Sequence, residues 1–149
     1  MAGFRELEVK RIIATIKAWA KQQPKIIAVT LVGSWAKNQA HENSDIDLVF
    51  LTPHLELFFH DTVWFYSIPW HDLNLNVDRY YDRTYGVVKS RHLCFDRGHR
   101  IEFSFGYPNW ANTDPIDSGT LAVVRSGMEI IYDPDRLLMA LKEKAIATQ

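Results

Sequence analysis

The reading turns on Leu31-Val32-Gly33-Ser34-Trp35-Ala36-Lys37-Asn38-Gln39-Ala40-His41-Glu42-Asn43-Ser44-Asp45-Ile46-Asp47-Leu48-Val49-Phe50. An apolar run ends at Gly33-Ser34, a short helical run follows, and Asp45-x-Asp47 leads into a second apolar run. A turn that leaves a strand and opens a helix gathers backbone N–H groups and partial positive charge at one spot. Glycine lets an anion approach that backbone, and Ser34 adds a hydroxyl donor. Side chains alternate along a strand, so Asp45 and Asp47 share one face while Ile46, Leu48 and Phe50 take the other, towards packing helices. Two like charges side by side repel, and a divalent cation relieves them. Hard oxygen ligands suit Mg²⁺ or Mn²⁺, which also bind phosphates.

Working outward, Ile26 to Val32 is apolar and largely β-branched and reads as a buried strand. Glu6 to Gln22 reads as an amphipathic helix whose stripe is Leu7, Val9, Ile12, Ile13, Ile16 and Trp19, stopped by Pro24. Trp35 to Gln39 reads as a helical turn or two. Asp45 to Thr52 is the second strand. Leu55 to Phe59 and Thr62 to Ile68 are expected as short helices. Leu73 to Tyr81 has no clear period.

Tyr85 to Phe95 and Arg100 to Phe105 read as a hairpin about Asp96-Arg97-Gly98-His99. On the second of these strands Arg100, Glu102 and Ser104 share one face, and Ile101, Phe103 and Phe105 the other. Tyr107 to Gly119 is expected as a loop. Leu121 to Val124 and Met128 to Tyr132 are expected as a small hairpin. Asp133-Pro134 opens a last helix with Leu137, Leu138 and Leu141 inward, and the tail to Gln149 should fray. The expected fold is α/β (α+β): a mixed β-sheet with helices packed mainly on one face, in a single domain over 1–149.

Glu102 is a lone acid in mid-strand among large apolar residues, and an acid there needs a partner. It is a candidate third carboxylate. The competing explanation is a structural pair with Arg100 or Arg91. Asp96, in a turn, and Asp78 compete for the third position.

The 149 residues carry a formal net charge of -1, so broad binding to a nucleic-acid backbone is not favoured. No stretch approaches a membrane span, and the polar start does not resemble a signal peptide. With Cys94 alone no internal disulfide can form, and a cytoplasmic protein is expected. The six histidines show no zinc-site spacing, and no Walker or Rossmann pattern occurs. Trp64, Phe65 and Tyr66 read as core rather than as a base-stacking platform.

Gly33-Ser34 followed by Asp45-x-Asp47 and an apolar run resembles the nucleotidyltransferase superfamily with the DNA polymerase β-like palm, nearest its minimal single-domain members. The resemblance spans roughly Ile26 to Thr52. It implies Asp45, Asp47 and Glu102 as catalytic and metal-binding carboxylates. It implies Gly33, Ser34 and Lys37 at the nucleotide's phosphates, with Lys89, Arg91 and Arg100 as further candidates for neutralising them. Asn38 stands where the family often has glycine. The implied cofactor is Mg²⁺ (or Mn²⁺), the implied donor an NTP with ATP expected, and the acceptor a hydroxyl on a small molecule or protein. A homodimer or a helical protein partner is compatible with the small size. The alternative is a palm-like antitoxin or regulatory binding module with weak or lost catalysis.

Overall fold

The computed structural model describes residues 2–147, with the side chains of residues 2–4 left aside. Five helices and six strands follow in the order α1 (Ala2–Lys21), β1 (Ala28–Val32), α2 (Gly33–Ala36), β2 (Ile46–Leu51), α3 (Leu55–His60), β3 (Val77–Tyr85), β4 (Val88–Phe95), β5 (Arg100–Gly106), α4 (Ser118–Ser126), β6 (Glu129–Tyr132) and α5 (Leu137–Ala147). Single 3₁₀ turns occupy Trp64–Ser67, Trp70–Leu73 and Pro108–Ala111.

The strands form one mixed sheet in the order β3-β4-β5-β2-β1-β6. Only the central pair β2 and β5 is parallel. β1 runs antiparallel to β2 and to β6, and β3, β4 and β5 form an antiparallel meander. Ile46, Leu48 and Phe50 of β2 and Ile101, Phe103 and Phe105 of β5 all point to one face, as their alternation requires. There they meet Ile12, Ile16 and Trp19 of α1 together with Leu55, Phe58, Trp64 and Phe65. Phe50 stacks on both Phe103 and Phe105, with centroids 5.3 Å apart. Leu7, expected on the apolar stripe of α1, is 65% exposed, because the buried side of the helix runs through Val9, Ile12 and Ile16 and Leu7 points away from it. On the opposite face, Ala28, Val49 and Leu51 carry a smaller cluster with Val124 of α4 and Leu138 and Leu141 of α5. The rest of that face is left open.

Arg91 ties the meander to α3 through the larger core. It is 1% exposed and forms a two-point ion pair with Asp82 of β3, at 2.8 and 3.0 Å. Its remaining N–H groups donate to the carbonyls of Phe58, Phe59 and Asp61. The rings of Phe59, Trp64, Phe65 and Tyr80 surround the guanidinium. The charge is therefore paired, hydrogen-bonded and stacked, which is what its burial demands.

Three expectations are corrected. Leu121 to Val124 is not a strand of a small hairpin but part of α4. Asp117 Oδ2 accepts from the N–H groups of Gly119 and Thr120, so the segment opens with a capped helical turn. Thr120 and Val124, four apart, then face the core. β6 does form, but it pairs with β1 across the chain rather than with a local neighbour. The expected loop from Tyr107 to Gly119 accordingly holds a 3₁₀ turn and the start of α4. Leu73 to Tyr81 resolves into a 3₁₀ turn and most of β3, whose side chains are nearly all exposed or half-exposed. The long strand expected from Tyr85 divides at Gly86 into β3 and β4. At the C-terminus, Asp133 accepts from the N–H groups of Leu138 and Met139, so the last helix is capped as expected. The expected fraying at Gln149 lies outside the described residues.

Candidate functional site

The parallel register of β2 and β5 sets Asp47 directly beside Glu102. Across the other edge of β2, Asp47 faces Val32, the last residue before the Gly33 turn. Both carboxylates therefore stand on the open face, at the mouth of that turn. Gly33 has φ +75°, a conformation that L side chains rarely adopt. A Cβ at this position would also collide with Asp47 Oδ2. The glycine is required twice over, by its backbone angle and by the carboxylate lying against it.

A cavity of ≈ 350 Å³ opens here, lined by Gly33, Lys37, Asp47, Glu102, Ser104 and Ser126 among others. Lys37 follows α2, and its stem crosses Gly127 at the end of α4, where a Cβ would come within 3.0 Å of Lys37 Cγ. Asn38 takes φ 58°, the left-handed geometry that glycine would adopt freely and asparagine tolerates. Ser34 sits in the turn, half-buried.

Burial above all, then its hydrogen bond with Glu102 and the negative charges of Glu102 and Asp45, together push the Asp47 carboxyl up to about 8. The pair is a site of excess negative charge that holds a proton when nothing else compensates it. Ser104 Oγ donates to Glu102 Oε1 at 3.2 Å and also lies 2.7 Å from Ser90 Oγ. His92 Nε2 is 3.7 Å from the same carboxylate. Glu102 is thus held by neither of the arginines considered for it. Arg91 is bound to Asp82, and Arg100 Nε lies 2.9 Å from Asp45 Oδ1.

Of the sequence candidates, Gly33, Lys37, Asp47 and Glu102 come together around one cavity. Asp45 lies just before β2 and is engaged by Arg100. Arg91 faces the opposite side of the sheet and belongs to the core. Lys89 is bound to Glu56 at 3.0 Å. Asp96 is occupied by Asn76 at the hairpin turn. Asp78 lies on the edge strand β3. Trp64 and Phe65 are core as expected, while Tyr66 is 58% exposed. Ser104 was placed on the face of Glu102 from sequence but given no role there, and Ser90 and His92 escaped sequence reasoning. Their signal was available only as alternation beside Glu102, and it needed the strand register to be read.

A mixed sheet thus brings a glycine-serine turn against two facing carboxylates. Residues 14–78 match the family model described as Polymerase beta, Nucleotidyltransferase. The matched stretch includes Gly33, Ser34, Asp45 and Asp47. The match ends before Glu102. No curated protein sequence matches the chain. Among solved structures it is similar to an aminoglycoside 6-adenyltransferase from Bacillus subtilis, with 14% identity and a TM-score of 0.47 over 67% of this chain. The chain spans 35% of that protein's length. It is also similar to a toxin-antitoxin structure with AMP-PNP, with 12% identity and a TM-score of 0.41, covering 96% of this chain and 85% of that one. Among the described residues no helix is long and apolar enough to cross a membrane.

Proposed function

We propose that the chain is a metal-dependent nucleotidyltransferase that moves a nucleoside monophosphate from an NTP, ATP being the expected donor, to a hydroxyl of a small molecule or protein. The observation that carries this reading is the facing pair Asp47 and Glu102 at the Gly33 turn. Two carboxylates held together out of full solvent call for a cation. Their hard oxygens fit Mg²⁺ or Mn²⁺, which bind through one or two carboxylates and complete their shell with water and phosphate oxygens. Among the described residues no three Asp, Glu, His or Cys groups lie close enough to hold an ion by themselves. The proposed ligands are therefore Asp47 and Glu102, substrate oxygens, and Asp45 once it turns from Arg100. When bound, the ion neutralises the triphosphate and stabilises the entering and leaving oxygens.

The chain's own groups have distinct parts. Gly33 leaves room for a phosphate against the backbone, Ser34 offers a hydroxyl donor, and Lys37 brings a positive charge to the β- and γ-phosphates. Glu102 takes the proton of the acceptor hydroxyl as its oxygen bonds to the α-phosphorus. The bond from that phosphorus to the bridging oxygen breaks, and pyrophosphate leaves. Ser104 holds Glu102 in position for this transfer.

The Arg100–Asp45 pair favours a second reading, a nucleotide-binding or regulatory module with weak catalysis, because a guanidinium there competes with a metal ion. Release of pyrophosphate from α-³²P-labelled ATP, with label carried to an acceptor, separates the two. The enzyme reading expects transfer that disappears in Asp45→Asn and in Asp47→Asn while circular dichroism stays native. Undiminished metal-dependent transfer in the double variant would contradict it.

A further inference from the structure

Beyond Glu102 the open face of the sheet continues into a second, larger cavity of ≈ 940 Å³. It shares Val32, Ser104 and Val123 with the cavity that holds the carboxylates, so the two are continuous. Val49 and Ser104 form its floor. Tyr107 and Trp110 stand on one side, and Tyr85 and Val88, at the tip of the β3–β4 hairpin, on the other. Its volume lies towards the upper end for small-molecule sites, roughly 300–1,000 Å³.

The charges in this trough are already spoken for. Lys89 Nζ holds both oxygens of Glu56, at 3.0 and 3.1 Å. Asp117 is occupied by the N–H groups that open α4. Each charged side chain lining the walls thus already has a hydrogen-bond or ion-pair partner. What the walls offer is ring faces and aliphatic surface. The polar path runs along the floor, where Ser104, with the buried Ser90 at its hydroxyl, leads to Glu102.

We propose that this trough is the acceptor subsite, and that the acceptor is a small, uncharged, ring-bearing alcohol. The inference rests on the transfer reading above. The body of the acceptor lies against Tyr107 and Trp110, where aromatic stacking and burial hold it. Its hydroxyl reaches Glu102, gives up the proton there, and its oxygen bonds to the α-phosphorus as pyrophosphate departs.

The test uses 2-naphthol as a neutral ring-bearing probe, followed by fluorescence titration. It is run with and without Mg²⁺ and AMPCPP, a nucleotide whose α,β-bond does not break. Val88→Trp fills the trough from the hairpin side. Tyr107→Ala removes an exposed wall ring, so it leaves the fold intact should the first variant fail to fold. Mg²⁺·AMPCPP should stabilise wild type and both variants alike. The probe should bind wild type whether or not the nucleotide is present, and at least fivefold more weakly to each folded variant. Unchanged probe binding in the variants, with nucleotide stabilisation intact, would overturn the subsite alone. Expulsion of the probe by saturating nucleotide would overturn it in favour of a pocket for the donor's nucleoside. Tighter binding of the polycationic aminosugar neomycin than of 2-naphthol would overturn the uncharged class. Absence of any nucleotide stabilisation in wild type, with the probe still bound, would overturn the transfer reading and the acceptor role with it.

Discussion

Asp47 on β2 stands in register with Glu102 on the parallel neighbour β5, and the row continues to His92 on β4 and Tyr81 on β3. Tyr81 stacks on His92 with centroids 4.6 Å apart and planes 5° from parallel. One line across four strands thus runs from two acids to an imidazole and a phenol. The acids carry the proposed chemistry, and the outer rings pack beside them.

The Asp47 carboxyl, raised from 3.8 to about 8, makes a statement about stability. The native state holds a proton that the unfolded chain releases at lower pH. The resulting stabilisation is complete below pH 3.8 and is lost as the pH rises through about 8. Asp47→Asn abolishes that loss. Without divalent cations the variant should melt above wild type, by an amount growing from pH 5 to pH 8 and reaching on the order of 2 kcal/mol, or roughly 5 °C. Equal melting temperatures at every pH would mean that the two carboxylates do not strain each other.

Gly33→Ala forces a left-handed angle on an L residue, at about 1–2 kcal/mol, and drives a methyl into Asp47 Oδ2. The variant should lose about 2 kcal/mol or more in urea unfolding and should lose nucleotide binding outright. Gly33→Ala with wild-type nucleotide affinity would remove the turn from the site.

Arg100 competes with the proposed ion for the Asp45 carboxylate. Arg100→Ala should therefore tighten Mn²⁺ binding, measured by electron paramagnetic resonance, by severalfold in the presence of nucleotide. Unchanged affinity would remove Asp45 from the ligand set and leave Asp47 and Glu102 alone.

Arg91 is a structural cation, although its sequence context suggested a phosphate contact. Arg91→Met leaves Asp82 and three carbonyls without their donor. It should cost about 3–5 kcal/mol, whereas the more exposed partner change Asp82→Asn should cost less. If Arg91→Met lowered nucleotide affinity with little effect on melting, the core assignment would be wrong.

The parts of the site legible in sequence are those carried by local pattern. The Gly33-Ser34 turn, the Asp45-x-Asp47 spacing and the face-sharing of Arg100, Glu102 and Ser104 all follow from a strand's period of two. α4 was missed because the short apolar run Leu121-Ala122-Val123-Val124 ends in two β-branched valines and lies between Gly119 and Gly127, while the decisive cap from Asp117 lies outside it. β3 was missed because an edge strand with charged and aromatic residues on both faces has no apolar alternation to read. Arg91's fate depended on which face of β4 meets α3, and the pairing of Arg100 with Asp45 on the β2–β5 register. Neither is local information.

The most direct measurement is thermal melting with each NTP, with and without Mg²⁺ or Mn²⁺, on wild type, Asp47→Asn and Glu102→Gln. The account predicts stabilisation of wild type by at least one NTP only when the metal is present, and its loss in both variants. A metal-independent shift, or an equal metal-dependent shift in Asp47→Asn, would contradict it.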